Sequence, residues 1–565
     1  MLKLFRFLKP KFWLIIIIFL MIGAQSFSQL MLPSLMGEIV ANITGPTGAD
    51  NSFILRKGLE MIAYAGATII IAFATSIGIS YVGAYFGKKL RAEVFKKVLS
   101  FSPGDYDRIG TASLMTRTTN DVEMVQTVVV MGLRIMVMSP IIMAIAIVQV
   151  LRTDVQLAII LAFSIPLIII TIIILFAIAM PLFKKLQIAI DEVTKVLRAS
   201  LTGVRVVRAF NQEEKEKERF AKVNRHQTNL IIKVGRTMSF ASPIISIFFD
   251  LTYFAIFLFG FAIIDGTAND ARLDNILVTS QYAMHIMMSF LMFSMLLINI
   301  PRAGVSARRI NEVLETKVDI VDPEVPHSEN EGEVGHVRFE DVTFTFPDSK
   351  IPTLQNITFD AKPGQVTAII GSTGSGKSSI INLIPRFYDV SKGRVLVDNV
   401  DVRDYTQKDL RDKIGFVPQQ ALLFSGTIRD NMHFGKPDGS DEEIRAALEV
   451  AQAARFVARK ENGYDAEVSQ GGKNFSGGQK QRLAIARALV KKPEIYIFDD
   501  SFSALDFKTD IRLRTALKEY TKTASVIIVA QRVSSIMDAD NILVLNEGKI
   551  VGQGKHQELL KKCQV

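Results

Sequence analysis

Up to about residue 302 the chain is dominated by long apolar runs joined by polar connections; beyond about residue 335 the apolar runs are short and bounded by turn-forming residues. About 20 apolar residues are needed to cross hydrocarbon as a helix, so the first pattern predicts spanning helices. They fall at about 12–36, 59–86, 126–150, 155–181, 240–264 and 276–301. Leu2 to Pro10 is basic and amphipathic, and no small-residue cleavage site follows the apolar run that begins at Phe12. This predicts an interfacial helix leading into the first span rather than a cleaved signal. The polar stretches after the second and fourth spans are long, charged and mostly free of helix breakers, so the helices should run well past the bilayer. Each needs a turn at its far end, expected at Ser102 to Gly110 and near Phe210 to Glu213.

In the second half, Val337 to Phe346 alternates as a strand does, and Val366–Ile370, Ile414–Val417, Ile495–Phe498 and Ser525–Ala530 read as buried strands. Three of them present polar ends at one edge, as in an open parallel α/β sheet. The expected fold class is an all-α membrane domain of six transmembrane helices with long cytoplasmic extensions, followed by an α/β domain. The expected boundaries are 1–316 for the membrane domain, 317–336 for a Pro-, Asp- and Glu-rich linker, and 337–565 for the α/β domain.

Charge sharpens this picture. The net +10 sits largely in the two polar connections, where Lys88, Lys89, Arg91, Lys96, Lys97, Arg108 and Arg117 occupy the first and Lys184 to Arg236 brackets the second. The other connections hold only Arg56 and Lys57, Arg152 and Arg272. Basic loops stay on the cytoplasmic side, so both termini and the soluble domain are expected there, and no nucleic-acid partner is needed to explain the charge. The single cysteine, Cys563, cannot form an internal disulfide. Within the spans Arg134, Asp250 and His285 are candidates for function because charge is expensive there; Arg134 and Asp250 could equally snorkel to headgroups. Met284, Met287, Met288, Met292 and Met295 on the last span suit either a deformable substrate cavity or ordinary packing.

The candidate chemistry is concentrated in a glycine loop. Gly371-Ser372-Thr373-Gly374-Ser375-Gly376-Lys377-Ser378-Ser379 follows a strand pattern and precedes a helical one. Glycines allow consecutive backbone N–H groups to converge on phosphate oxygens at a helix N-terminus. Lys377 should reach the β/γ-phosphates of ATP, and Ser378 should hold Mg²⁺. A second glycine turn opens a helix at Phe475-Ser476-Gly477-Gly478-Gln479. Asp499 and Asp500 end one buried strand, a placement suited to Mg²⁺; Gln419 and Gln531 end two others.

These motifs together resemble an ATP-binding cassette (ABC) exporter half-transporter, six spans fused ahead of a nucleotide-binding domain, over nearly all of the chain. The resemblance implies that 337–565 is the nucleotide-binding domain, an α/β P-loop ATPase domain with a helical subdomain, with ATP and Mg²⁺ as cofactors. It implies Phe346 stacking on adenine, Gln419 near Mg²⁺ and the attacking water, Asp499 as a metal ligand, and Ser503-Ala504-Leu505-Asp506 as the D-loop. Tyr106 to Asp121 and Gly203 to Phe210 look like coupling segments. Members dimerise head to tail, so Phe475 to Gln479 would complete the ATP site of a second half-transporter.

Two positions depart from the family pattern. Asp500 stands where the family has its general-base glutamate, and Gln531 where it has a switch histidine. The shorter side chain retracts the carboxylate by about 1.5 Å, out of the ~2.6–3.2 Å reach a base needs. An amide offers neither the cation nor the titrating proton of histidine. The chain therefore resembles the degenerate-site subunit of heterodimeric bacterial multidrug exporters, with the lipid bilayer and an amphipathic small molecule as its other expected partners. An ATP-gated channel, a nucleotide sensor or a homodimeric peptide or lipid exporter are the alternatives; a soluble DNA-repair ATPase is excluded by the spans.

Overall fold

A computed structural model describes residues 1–44, 49–267, 273–327 and 334–562. They form two compact units: Met1–Lys97 with Ala112–Glu315, and Val98–Thr111 with Thr316–Val565.

The first unit is helical. A 3₁₀ segment, Leu2–Lys11, leads into α1 (Phe12–Thr44), followed by α2 (Asn51–Leu99). Between α2 and the next membrane helix lies α3 (Pro103–Ile109), part of the second unit. The third apolar segment is assembled from α4 (Thr111–Thr118), α5 (Asn120–Met131), a π-turn at Gly132–Met136 and α6 (Val137–Thr153). Then come α7 (Val155–Thr202), the short α8 (Val204–Ala209), α9 (Glu213–Ser239), α10 (Ala241–Thr267) and α11 (Leu273–Glu315). Six helical segments among the described residues are long and apolar enough to cross a membrane. At 1.5 Å rise per residue the 48 residues of α7 reach roughly 70 Å, more than twice the ~30 Å hydrocarbon core, as the polar ends of the sequence predict.

α11 packs against α1, α5, α6 and α10. Tyr282, Ile286, Leu30, Ile142 and Ile256 share a buried cluster, in which the Tyr282 hydroxyl donates to the Leu30 carbonyl at 2.9 Å. Polar ties fasten the last turns of α11: Ser306 Oγ to the buried Asp121 at 2.6 Å, Arg117 to Glu312 at 2.8 Å and Lys3 to Glu315 at 2.7 Å. The outer faces carry exposed Ile69, Ile70, Phe73, Phe163, Ile170 and Ile173, apolar surface that only lipid could solvate without cost. Met284, Met288 and Met292 form an exposed stripe, but Met287 turns into the core. Met295 lies outside the residues whose side chains are described.

The stretch expected as a first turn is a helix. Ser102 accepts from the Asp105 N–H, and Asp105 accepts from the Ser102 N–H, a reciprocal cap with Pro103 at the first helical position. Gly110, at φ 83°, ends it. The second turn falls at Phe210 and Asn211 (φ 51°), before the acidic first turn of α9.

The second unit contains β1 (Val337–Phe344), β2 (Leu354–Ala361), β3 (Val366–Gly371), α12 (Lys377–Leu383), β4 (Lys392–Val397) and β5 (Val400–Asp401). α13 (Gln407–Asp412) and β6 (Ile414–Val417) follow. The helical subdomain holds β7 (Gly426–Thr427), α14 (Ile428–His433), α15 (Asp441–Val450), α16 (Ala454–Val457), β8 (Glu467–Val468) and α17 (Gly477–Val490). Last come β9 (Ile495–Asp499), α18 (Phe507–Tyr520), β10 (Ser525–Val529), β11 (Asn541–Asn546), β12 (Lys549–Gly554) and α19 (His556–Lys562). An antiparallel sheet has the order β2-β1-β4-β5, and a six-stranded sheet the order β12-β11-β3-β10-β9-β6, parallel except at β12. Val529 pairs with both Ile369 and Asp499, and Phe498 pairs with Val417. The ends of β3, β10, β9 and β6 therefore lie level, which brings four separate loops to one edge.

Candidate nucleotide-binding site

The glycine loop hangs between the end of β3 and α12. A side chain at Gly371 would meet the Leu545 carbonyl at 2.2 Å, and Gly374 and Gly376 hold φ of 84° and 98°, values that L-residues avoid. Lys377 Nζ donates to the loop's own carbonyls, Gly371 at 2.9 Å and Ser372 at 2.7 Å. Burial draws its pKa down, against the attraction of Asp499 and Asp500. Inside the loop the buried Ser375 hydroxyl has no hydrogen-bond partner. A cation and an unpartnered hydroxyl in a glycine cradle at a helix N-terminus fit a phosphate chain. Ser372 and Thr373 are exposed on the loop, and Ser379 is buried beneath it.

Ser378 Oγ lies 3.5 Å from Asp499 Oδ1. Burial raises the Asp499 pKa, with the Ser378 hydrogen bond opposing. Among the described residues no group of three or more His, Cys, Asp or Glu could hold a metal by itself. Mg²⁺ here would need phosphate oxygens and water to complete its shell, which suits an ion that arrives with a nucleotide.

Asp500 sits at φ 45°, a left-handed conformation that aspartate tolerates better than most residues. Burial raises its pKa, opposed by the neighbouring Ser503 hydroxyl and Gln419 amide. Gln531 Nε2 donates to its Oδ2 at 2.9 Å. The structure thus gathers Lys377, Ser378, Gln419, Asp499, Asp500 and Gln531 at one sheet edge.

The second glycine turn stands on a separate helix. Ser476 and Gln479 cap each other at the start of α17, with Ser476 N–H to Gln479 Oε1 at 3.0 Å and Gln479 N–H to Ser476 Oγ at 3.3 Å. Phe475 is buried, a Cβ at Gly477 would meet nothing within 4 Å, and one at Gly478 would lie 3.1 Å from the Ala504 carbonyl. The start of α17 is open to a ligand and backed by the 503–506 turn. In that turn Ser503 donates to the Asp500 carbonyl, Leu505 is buried and Asp506 caps α18.

Phe346 is half-buried, 4.7 Å from Phe344 and 5.4 Å from Tyr388 between ring centroids. Sequence reasoning missed Tyr388, because the only signal is an aromatic pair, Phe387-Tyr388, just after the phosphate-loop helix.

The chain matches the ABC transporter transmembrane region over residues 14–290 and the ABC transporter family over residues 354–503. It is 39% identical over 542 residues to an uncharacterized ABC transporter ATP-binding protein of Mycobacterium tuberculosis, covering 95% of this chain and 92% of that protein. An ATP-dependent lipid A-core flippase of Aromatoleum aromaticum is 31% identical, with 94% and 89% covered. Among solved structures, a bacterial Atm1-family ABC exporter with ATP bound superimposes with a TM-score of 0.80 at 25% identity, covering 98% of this chain and 96% of that one.

Proposed function

This chain belongs to the ABC transporters, and from that premise we propose that it is the degenerate-site half of a heterodimeric, ATP-driven exporter of amphipathic compounds. It is a multipass membrane protein whose cassette implies ATP hydrolysis coupled to transport. The domain limits 1–316, 317–336 and 337–565, and a cytoplasmic place for the cassette and both termini, are part of the proposal. Similarity to proteins named lipid A-core flippases supports a lipid-like or drug-like substrate.

Phe346 would take adenine; Gly371 to Ser379 would hold the phosphates, with Lys377 turning from its own carbonyls to them. Ser378, Asp499 and Gln419 would hold Mg²⁺, which when bound neutralises charge developing on the transferred phosphoryl group. Ser476 to Gln479 would present the N-terminus of α17 to the partner's nucleotide. The observation that carries the asymmetry is the 2.9 Å bond from Gln531 to Asp500: an amide occupies the carboxylate that would otherwise take a proton from water. Such a site retains ATP and hydrolyses it slowly.

The test is uptake of a lipophilic dye into inverted vesicles holding this chain with its partner. ATP-dependent accumulation above the external concentration, abolished by Ser476→Arg, supports export. Dye entry that stops at equilibrium would instead mark an ATP-gated channel.

A further inference from the structure

One end of the helical unit carries more positive charge than its own carboxylates match. From Met1 to Ala92 the acidic residues are Glu38, Asp50 and Glu60, all toward the end of α1 and the start of α2. At the opposite end stand Lys3, Arg6, Lys9, Lys11, Lys88 and Lys89, side by side because α1 and α2 pack with Ile18 against Gly78. Among the described residues only Lys3 of these cations pairs with a carboxylate, Glu315 at 2.7 Å.

Lys11 is held by aromatic rings. Its ammonium donates to the Tyr81 hydroxyl at 3.1 Å and lies 5.0 Å and 5.2 Å from the ring centroids of Tyr81 and Tyr85. An ammonium has three protons to give. One goes to Tyr81, whose hydroxyl, acting as acceptor here, keeps its own proton for another group. What this pair offers to its surroundings is therefore all donor. Tyr81 and Tyr85 are one turn apart on α2, and two exposed cations, Lys88 and Lys89, follow on the next turn of that face.

The depth of these groups is fixed by packing. Leu4 is buried, and Leu8 packs with Ile18, Ile22, Ile79 and Val82. Phe5, Phe12 and Trp13 remain exposed beside the cations. Tyr81 and Tyr85 fall in the last turns of the span expected at 59–86, so the donors lie where hydrocarbon meets water. Donors and bare apolar side chains at that level meet a headgroup and its acyl chains together.

We propose that Lys11, Tyr81 and Tyr85 form a seat for the headgroup phosphate of an anionic phospholipid, whose acyl chains lie along Phe12 and Trp13. The ammonium neutralises the phosphate, the Tyr81 hydroxyl donates to a second oxygen, and the two rings keep the ammonium from swinging away into water. A zwitterionic lipid brings the same phosphate but adds a cation, which Lys88 and Lys89 repel. The seat therefore selects lipids with net negative charge.

Trp13 is the sole tryptophan of the chain, two residues from Lys11 and 78% exposed, so its fluorescence reports what occupies the seat. The full chain in phosphatidylcholine nanodiscs is titrated with phospholipids brominated on their acyl chains. Brominated phosphatidylglycerol should quench Trp13 at about 5-fold lower mole fraction than brominated phosphatidylcholine, the preference expected of about one cation near an anionic headgroup. Tyr81→Phe leaves every charge in place yet should bring the two lipids to within about 2-fold, as should Lys11→Gln. Lys9→Gln removes an exposed cation that no ring holds and should retain most of the preference. Brominated phosphatidylcholine should quench all variants alike, because Trp13 stays in lipid. Full preference in Tyr81→Phe, or a loss in Lys9→Gln equal to that in Lys11→Gln, marks a diffuse basic surface and overturns the seat. Glycerol phosphate added in solution should leave the quenching unchanged; reversal would assign the seat to a soluble phosphate and overturn the lipid.

Discussion

Restoring the two departed positions, Asp500→Glu with Gln531→His, should raise ATP turnover by this chain purified alone. The Asp500 carboxylate already accepts from Gln531 and Gln419, while the Ser503 hydroxyl donates to the Asp500 backbone carbonyl. An ionised carboxylate has about four acceptor sites, so roughly two remain for water. Replacing the amide and adding ~1.5 Å of reach returns a base to hydrogen-bond distance. General-base catalysis contributes about 10²–10⁴-fold, or about 2.7–5.4 kcal/mol. Against this, glutamate at φ 45° is less comfortable than aspartate, at a cost of about 1 kcal/mol. The net expectation is roughly 10- to 10³-fold faster steady-state phosphate release than the unmodified chain. Asp500→Asn, by contrast, should change the slow rate of the single chain by less than about 3-fold, since the carboxylate is not serving as base. The reasoning is refuted if the unmodified single chain hydrolyses ATP as fast as the co-expressed pair, or if Asp500→Asn abolishes its activity.

In the co-expressed pair, Ser476→Arg should remove most ATP turnover while Lys377→Ala leaves more, because the first disables the partner's site; a steady-state assay showing the reverse order breaks the assignment. Equilibrium binding of labelled ATP to the full chain should be weaker in Lys377→Ala, which removes a charge-assisted contact to phosphate. Burial raises the pKa values of Asp499 and Asp500. Their stabilising contribution in the nucleotide-free chain is therefore complete below the ordinary carboxylate value and lost as pH rises through the raised values. Thermal melts should show this loss in the native chain and a flatter profile in Asp499→Asn. Lys413 Nζ lies 2.8 Å from the fully buried Asp398; Lys413→Ala removes that cation while the Gly335 and His336 N–H groups still hold the carboxylate, and should cost about 1.5–3 kcal/mol by denaturant unfolding.

The glycine loop and the start of α17 were legible because their chemistry depends on spacing along one short stretch. The level ends of β3, β9 and β10 followed from buried strands that stop at polar residues, a pattern with few parallel-sheet solutions. α3 was misread as a turn since Pro103 and Gly104 advertise one, whereas Ser102 and Asp105 close a cap around the same residues. Tyr388 was invisible for another reason: it meets Phe346 only once β1 and the chain after α12 have folded together, and no local pattern records that meeting. The methionines of the last span do not share one environment: Met284, Met288 and Met292 are exposed and Met287 points inward, because a helix enclosed by several neighbours has more than one buried side.

The assignment of Val98–Thr111 to the second unit means that the natural piece of exchange between related transporters is not the C-terminal half. A graft that replaces residues after Glu315 and leaves the host's own 98–111 stretch behind would seat a foreign helix on Tyr388, whose Cε1 a methyl group at Gly104 would approach within 3.3 Å. Recombination that preserves fit must cut the chain in three places, before Val98, after Thr111 and after Glu315, and carry both fragments together. A cassette expressed from Thr316 onward would likewise bare the surface that Gly104 covers, so its behaviour in isolation reports on a domain missing one of its own elements.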